Sequence, residues 1–239
     1  MTRPDMPDWL AKDALDVGLF TNQLEPMLAF WQDEVGLPFD HMLPVGGGVR
    51  QHRHDHHGAV LKLNQARDPL LPKSAGGLQR LIIATERVTD PHDLADPDGN
   101  QVRLVPAGFE GIDHWALEIA TADEQSFLNH YRDRLGLPQD PRWPAAVRCG
   151  RSLIVAVVAP DIASLTDADA MQRTGFRYST MQVLKVDSLH EEMIARGVEQ
   201  GAAPLTLGKT ARISFVKDPH GNWMELSQRA SITGSLTPG

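Results

Sequence analysis

Apolar positions along the chain alternate between two periods. VGLFT (Val17–Thr21), AVLKLN (59–64), GLQRLIIAT (77–85) and QVRLVP (101–106) are rich in β-branched and aliphatic residues and predict strands. Between the first two, Leu24–Val35 carries apolar residues at helical spacing, and Gly36 follows where a helix ends. The run GGGVRQHRH leads into AVLKLN and predicts a hairpin. The second part repeats the rhythm. HWALEIA (His114–Ala120) predicts a strand, Ala122–Leu135 a helix, and the stretches near Ala145–Cys149 and Ser152–Ala159 a hairpin. A polar stretch, Asp161–Thr174, predicts a loop. FRYSTMQVLKV then predicts a strand, Ser188–Arg196 a helix closed by Gly197, and RISFV and NWMELS two strands flanking the turn DPHG. The order within a unit is β-α-β-β-β.

Two segment pairs recur in the same order. AFWQDEVGLP (Ala29–Pro38) matches NHYRDRLGLP (Asn129–Pro138), and DPDGNQVRL (Asp96–Leu104) matches DPHGNWMEL (Asp218–Leu226). Duplication is the simple explanation. It predicts two tandem domains, 13–106 and 111–229. Only about a dozen residues separate GLQRLIIAT from DPDGN, so the second unit of the first domain is expected to be shortened.

Composition narrows the function. A formal net charge of −8 and a pI near 5.6 disfavour nucleic acid and anionic membrane surfaces, both of which need basic patches. The longest aliphatic run, Leu153 to Ala159, is too short to span a bilayer, and the N-terminus has no apolar stretch of signal-peptide type. Cys149 is the single cysteine, so no intrachain disulfide can form, and a cytoplasmic location is expected. Cys149 itself is read as a small packing residue.

HWALEIA, the helix ending FLNHYRDRLGLP, the strand FRYSTMQV and the closing ISFVKDPHGNWMELSQ resemble the vicinal oxygen chelate superfamily of glyoxalases, bleomycin-resistance proteins and extradiol dioxygenases. The resemblance covers nearly all of 13–228. It implies an α+β fold of tandem βαβββ units, forming curved mixed sheets with helices outside and a ligand cleft inside. It also implies a small-molecule substrate, homodimers in some members, and a divalent metal (Fe, Mn, Zn or Ni). Two function classes follow: a metal-dependent dioxygenase, lyase or isomerase on a small aromatic or oxygenated substrate, or a metal-free protein that sequesters a ligand.

Alternation along the strands sorts the candidate residues. Trp115, Leu117 and Ile119 are expected to pack, leaving His114 toward a cleft. Met224 and Leu226 are expected to pack, leaving Trp223 and Glu225 inward. Met181 and Val183 pack, leaving Tyr178, Thr180 and Gln182 inward. Carried over from the family, the metal ligands are His114 and Glu225, converging in the second domain. No histidine stands on FRYSTMQV, so either Tyr178 or Gln182 completes the site. In the first domain the counterparts are Asp16 and Arg103, and an arginine cannot ligate a metal. Arg103, Arg80 and Asp16 are read as an internal ion pair or an anion grip. Five of the ten histidines lie between His41 and His57. His52 and His54 share a strand face and are read either as part of a polar strand entering a hairpin or as substrate-binding residues at the mouth of the first cleft. GGG at Gly46–Gly48 and LGKT at Leu207–Thr210 fail the spacing of nucleotide-binding loops.

Overall fold

The computed structural model describes residues 6–73, 77–162, 165 and 171–236. Half of the loop expected at Asp161–Thr174 lies outside them. Strand β1 (Asp16–Thr21) leads into helix α1 (Leu24–Ala29), which continues as a π-helical turn over Phe30–Glu34. Strands β2 (Phe39–Gly46), β3 (Val49–His56) and β4 (Ala59–Ala66) complete the first unit. The second unit is β5 (Leu78–Ala84), β6 (His92–Ala95) and β7 (Gln101–Val105), with no helix between them. The third is β8 (Trp115–Thr121), α2 (Glu124–Leu128) with a π-helical extension over Asn129–Arg134, β9 (Ala146–Cys149) and β10 (Ser152–Val158). The fourth is β11 (Gly175–Gln182), α3 (Val186–Ala195), β12 (Glu199–Leu207), β13 (Ala211–Lys217) and β14 (Trp223–Arg229), followed by the short α4 (Ala230–Thr233).

In every unit the first strand runs parallel to the last: β1 with β4, β5 with β7, β8 with β10, and β11 with β14. Units then join through antiparallel first strands, β1 with β11 and β5 with β8. The result is an eight-stranded sheet, β12-β13-β14-β11-β1-β4-β3-β2, and a six-stranded sheet, β6-β7-β5-β8-β10-β9. The mixed α+β architecture agrees with the sequence. The sheets, however, do not follow the tandem halves 13–106 and 111–229. Each sheet takes one unit from each half, the outer two units forming one and the inner two the other.

The helix-bearing faces of both sheets share one core. Val17, Leu19, Leu61 and Leu63 of the larger sheet and Leu81, Ile83, Leu117 and Ile154 of the smaller belong to the same buried cluster as Trp31, Phe127 and Tyr131 of the helical segments. Trp115 and Cys149 are fully buried there, as their sequence reading requires.

The repeated DPxGN turns fasten the sheets together. Asp218 accepts from the backbone N–H of His220 and Asn222 (both 2.9 Å) and from Asn222 Nδ2 (2.7 Å). Gly221 supplies the left-handed backbone (φ +80°) that closes the turn. Asp218 also accepts from Tyr131 Oη (2.9 Å), which stands on the helical segment after β8 of the other sheet. In the matching turn, Asn100 Oδ1 accepts from the N–H of Phe176 in β11 (3.0 Å). A buried acceptor with four donors is costly to delete, because each abandoned buried donor costs about 1–3 kcal/mol. Asp218→Ala is therefore expected to lower unfolding stability by at least about 3 kcal/mol in chemical denaturation. A loss no larger than that of exposed Asp90→Ala would contradict this role.

Candidate functional site

The face of the eight-stranded sheet turned away from the shared core carries a row of polar side chains. Strand register sets the row: Glu225 lies opposite Thr180, Thr180 opposite Asp16, Gly18 opposite Lys62, and Lys62 opposite Arg53. A cleft of about 320 Å³ opens on this face, lined by Gln51, Arg53, Lys62, Glu225, Ser227 and Arg229. Leu43 and Val45 of β2, with Leu207 and Ile213 of the β12–β13 hairpin, form its apolar margin. That volume lies at the lower end of the range for small-ligand pockets.

At the floor of the cleft stands Lys62, 3% exposed. Its Nζ donates to Glu225 Oε2 (2.6 Å) and Thr180 Oγ1 (2.7 Å), and Thr180 Oγ1 donates to the same carboxylate oxygen (2.7 Å). Burial pulls the Lys62 pKa below the usual lysine value, and the charges of Glu225 and Asp16 resist that pull. Beside it the Tyr178 ring lies 5.3 Å from the ammonium. The tyrosine sits over Gly18, where any Cβ would fall 2.2 Å from the ring, so glycine is required there. Tyr178 Oη accepts from Asn64 Nδ2 (3.2 Å) and Gln51 Nε2 (3.4 Å). Burial raises the phenol's pKa far above its ordinary value, with the Glu225 charge adding to the effect, so it stays protonated.

Asp16, fully buried, accepts from the N–H of Val60 (2.8 Å), from Gln182 Nε2 (3.0 Å) and from Lys12. Burial alone would raise its pKa, yet Lys12 and Lys62 hold it below the usual carboxylate value. Asp16 and Glu225 are thus both committed to lysines. A divalent ion needs several free anionic or neutral donors around one point. Here the point between Glu225 and Thr180 is filled by an ammonium. Among the described residues no three His, Cys, Asp or Glu side chains form a metal-binding group. This donor set does not fit a metal.

The residues expected from sequence divide accordingly. Tyr178, Gln182, Trp223 and Glu225 belong to this sheet face, in the predicted phase. His114 does not join Glu225, because β8 lies in the other sheet. His114 sits at the junction between sheets, where its Nε2 meets the carbonyl of His56 (2.9 Å) and its Nδ1 meets Ser152 Oγ (3.2 Å). It is a buried imidazole satisfied by hydrogen bonds. His52 and His54 are also displaced from the cleft, because alternation along β3 turns Gln51 and Arg53 inward and the histidines outward. His54 meets Gln32 of the helical segment at 3.1 Å, and Phe39 packs on both rings. Arg103 pairs with Asp93 through two hydrogen bonds (2.7 and 2.6 Å), not with Asp16, which stands in the other sheet. Arg80 pairs with Glu118 (2.8 Å).

The corresponding face of the six-stranded sheet is filled. Ile82, Ala116, Leu153 and Val155 form a second apolar cluster, capped by Ile112, Phe109 and Trp143. Lys62 and Arg53 escape sequence reasoning. A lysine in AVLKLN reads as a solvent-facing strand position, and the neighbouring histidines draw attention from Arg53.

Residues 111–226 match the model of the Glyoxalase/Bleomycin resistance protein/Dioxygenase superfamily. A point mutant of glyoxalase I from Zea mays has a similar structure, with a TM-score of 0.68 and 12% identity over 94% of this chain and 97% of that one. A candidate dioxygenase of Bacillus subtilis subsp. subtilis str. 168 follows with 0.65 and 9%, over 98% and 93%. The cppA protein of Streptococcus pneumoniae TIGR4 gives 0.52 and 10%, over 92% and 99%. At these identities the likeness is one of fold. No curated protein sequence matches the chain. The family match covers residues 111–226, the second half of the chain, and the chain as a whole shares the fold of the glyoxalase-like structures, with sheets built from units joined through their first strands. Among the described residues, no helix is long and apolar enough to cross a membrane.

Two outcomes follow. Lys62→Met leaves Glu225 buried without its cation and is expected to cost about 3–5 kcal/mol of stability. Combining it with Glu225→Leu should recover much of that loss, and strictly additive losses would contradict the pairing. The second outcome concerns acid. Burial lowers the pKa of His54 and His56 to about 4, and of His114 and His130 to about 3. A histidine depressed in this way stabilises the fold above its unfolded value of about 6.5. That contribution is lost as pH falls from there toward 4, at up to about 1.4 kcal/mol per pH unit for each imidazole kept neutral. Denaturation midpoints should therefore drop steeply between pH 6.5 and 4 and less so in His54→Gln. A flat profile there would contradict the assignment.

Proposed function

We propose that the cleft of the eight-stranded sheet is a small-molecule site that works without a metal. The single observation behind this is Lys62, whose ammonium bonds Glu225 and Thr180 at 2.6 and 2.7 Å and so occupies the point where a metal would have to sit. The superfamily includes metal-dependent enzymes, and the metal-dependent reading is the one this donor set does not support. Of the two classes that the resemblance allows, the metal-free ligand binder fits the residues better. Among the described residues, apolar side chains fill the corresponding face of the six-stranded sheet.

A second reading keeps the site catalytic, with Lys62 in place of a metal as the reactive group. Its support is a lysine whose pKa burial depresses, on the floor of a cleft, which is a recognised mark of acid–base sites. Tyr178 serves either reading as a positioning group, because its phenol is held protonated by burial.

Elemental analysis of protein purified without chelators separates metal-free from metal-dependent action. The expected result is transition-metal content well below one ion per chain, with thermal stability unchanged by EDTA. A stoichiometric metal that disappears in Glu225→Gln would overturn the proposal.

A further inference from the structure

The cleft holds more positive charge than its own carboxylates neutralise. Glu225 is committed to Lys62 and Asp16 to Lys12. Two arginines, Arg53 and Arg229, line the same cleft, and Asp16, Glu225 and Asp40 act on Arg229 only through charge attraction, with no hydrogen bond to it. Arg53 is 5% exposed. Its Nη1 donates to Gln51 Oε1 (2.8 Å), while its Nε is buried with no hydrogen-bond partner. Arg229, at the end of β14, is partly buried, and its pKa is lowered first by that burial and then by the charge of Arg53, against the smaller opposing pull of Asp16, Glu225 and Asp40. Two guanidinium groups facing one cavity repel each other, and a buried N–H without an acceptor is costly. A protein gains nothing in stability from such a pair. A ligand that supplies the missing anion gains from it, because guanidinium groups bind planar or tetrahedral oxyanions through paired N–H donors.

We infer that the ligand is an organic anion, whose carboxylate or phosphate is held between Arg53 and Arg229 and whose apolar body lies against Leu43, Val45, Leu207 and Ile213. This rests on the proposal that the cleft is a ligand site, and it names the chemical class of the ligand. Ser227 and Thr210, also in the lining, add hydroxyl donors for an oxyanion. Lys62 is kept out of the anion's reach as a free charge by Glu225, so selectivity falls to the two arginines. The cavity volume suits a body about the size of one ring.

The test uses matched probes on the full chain: benzoate, phenyl phosphate and neutral benzamide. Affinity is read by calorimetry, and location by amide shifts of Glu225 and Ser227 in NMR spectra. The expected result is that benzoate or phenyl phosphate shifts the cleft amides and binds at least about tenfold more tightly than benzamide. Preference for benzoate would mark a carboxylate ligand, and preference for phenyl phosphate a phosphorylated one. Arg229→Gln should abolish the preference while leaving the circular dichroism spectrum unchanged. Because Arg53→Gln could disturb the buried strand, Arg53→Lys serves as the second variant, keeping the charge but losing the paired donors, and should weaken anion binding. Benzamide binding as tightly as the anions in the cleft would overturn the anion assignment and leave the cleft as a ligand site. Failure of all three probes to move the cleft amides would overturn both.

Discussion

The centre of this molecule is a buried ammonium that only two carboxylates from different parts of the chain can balance. Lys62 comes from the first unit and Glu225 from the last, 163 residues apart in sequence. They meet because β1 pairs with β11, which sets β4 and β14 on either side of that seam. Desolvating a lone ammonium is prohibitive, so the pair can be buried only if the register across four strands is correct. The ion pair and the cross-unit sheet thus specify each other. Gly18 follows from the same constraint, since the Tyr178 ring that borders Lys62 occupies the space a side chain there would need.

The two sheets of the molecule share one pairing scheme and differ on their outer faces. Both join two units through antiparallel first strands, and both turn one face to the common core. On the opposite face the larger sheet carries charged and amide side chains around a cleft, while the smaller carries Ile82, Leu153 and Val155 under Phe109 and Trp143. Its remaining charges, Arg80, Arg103, Asp93 and Glu118, neutralise each other toward the surface. One side opens as a cleft and the other is closed by apolar packing. The DPxGN turns keep the two in place, each tying its own sheet to a residue of the other.

Much of this was legible from local pattern. Period-two alternation put Tyr178, Thr180, Gln182 and Glu225 on one face, and the helical stretch with its terminal glycine located α1 and its π-helical continuation. The edge strands β2 and β12 were not legible, because FDHMLPVG and EQGAAPLTL are exposed on both sides and carry no clear alternation. Pairing between units was also hidden. A repeat in sequence suggests that each half closes on itself, but strand pairing is a long-range choice, decided by which first strands meet. That choice separated His114 from Glu225 and Asp16 from Arg103. A one-residue phase on β3 decided between His52, His54 and Arg53, and the observed register sets Gln51 and Arg53 opposite Asn64 and Lys62 on the cleft face.

The central claim is that an ammonium, and not a metal, stands between Glu225 and Thr180. Its most direct test is a crystal structure of protein grown with excess Mn²⁺, with anomalous scattering recorded at the manganese edge. No anomalous peak is expected beside Glu225, and Lys62 Nζ should stand in density within hydrogen-bond distance of both Glu225 and Thr180. A manganese peak bound by Glu225, with Lys62 swung away from it, would contradict the claim.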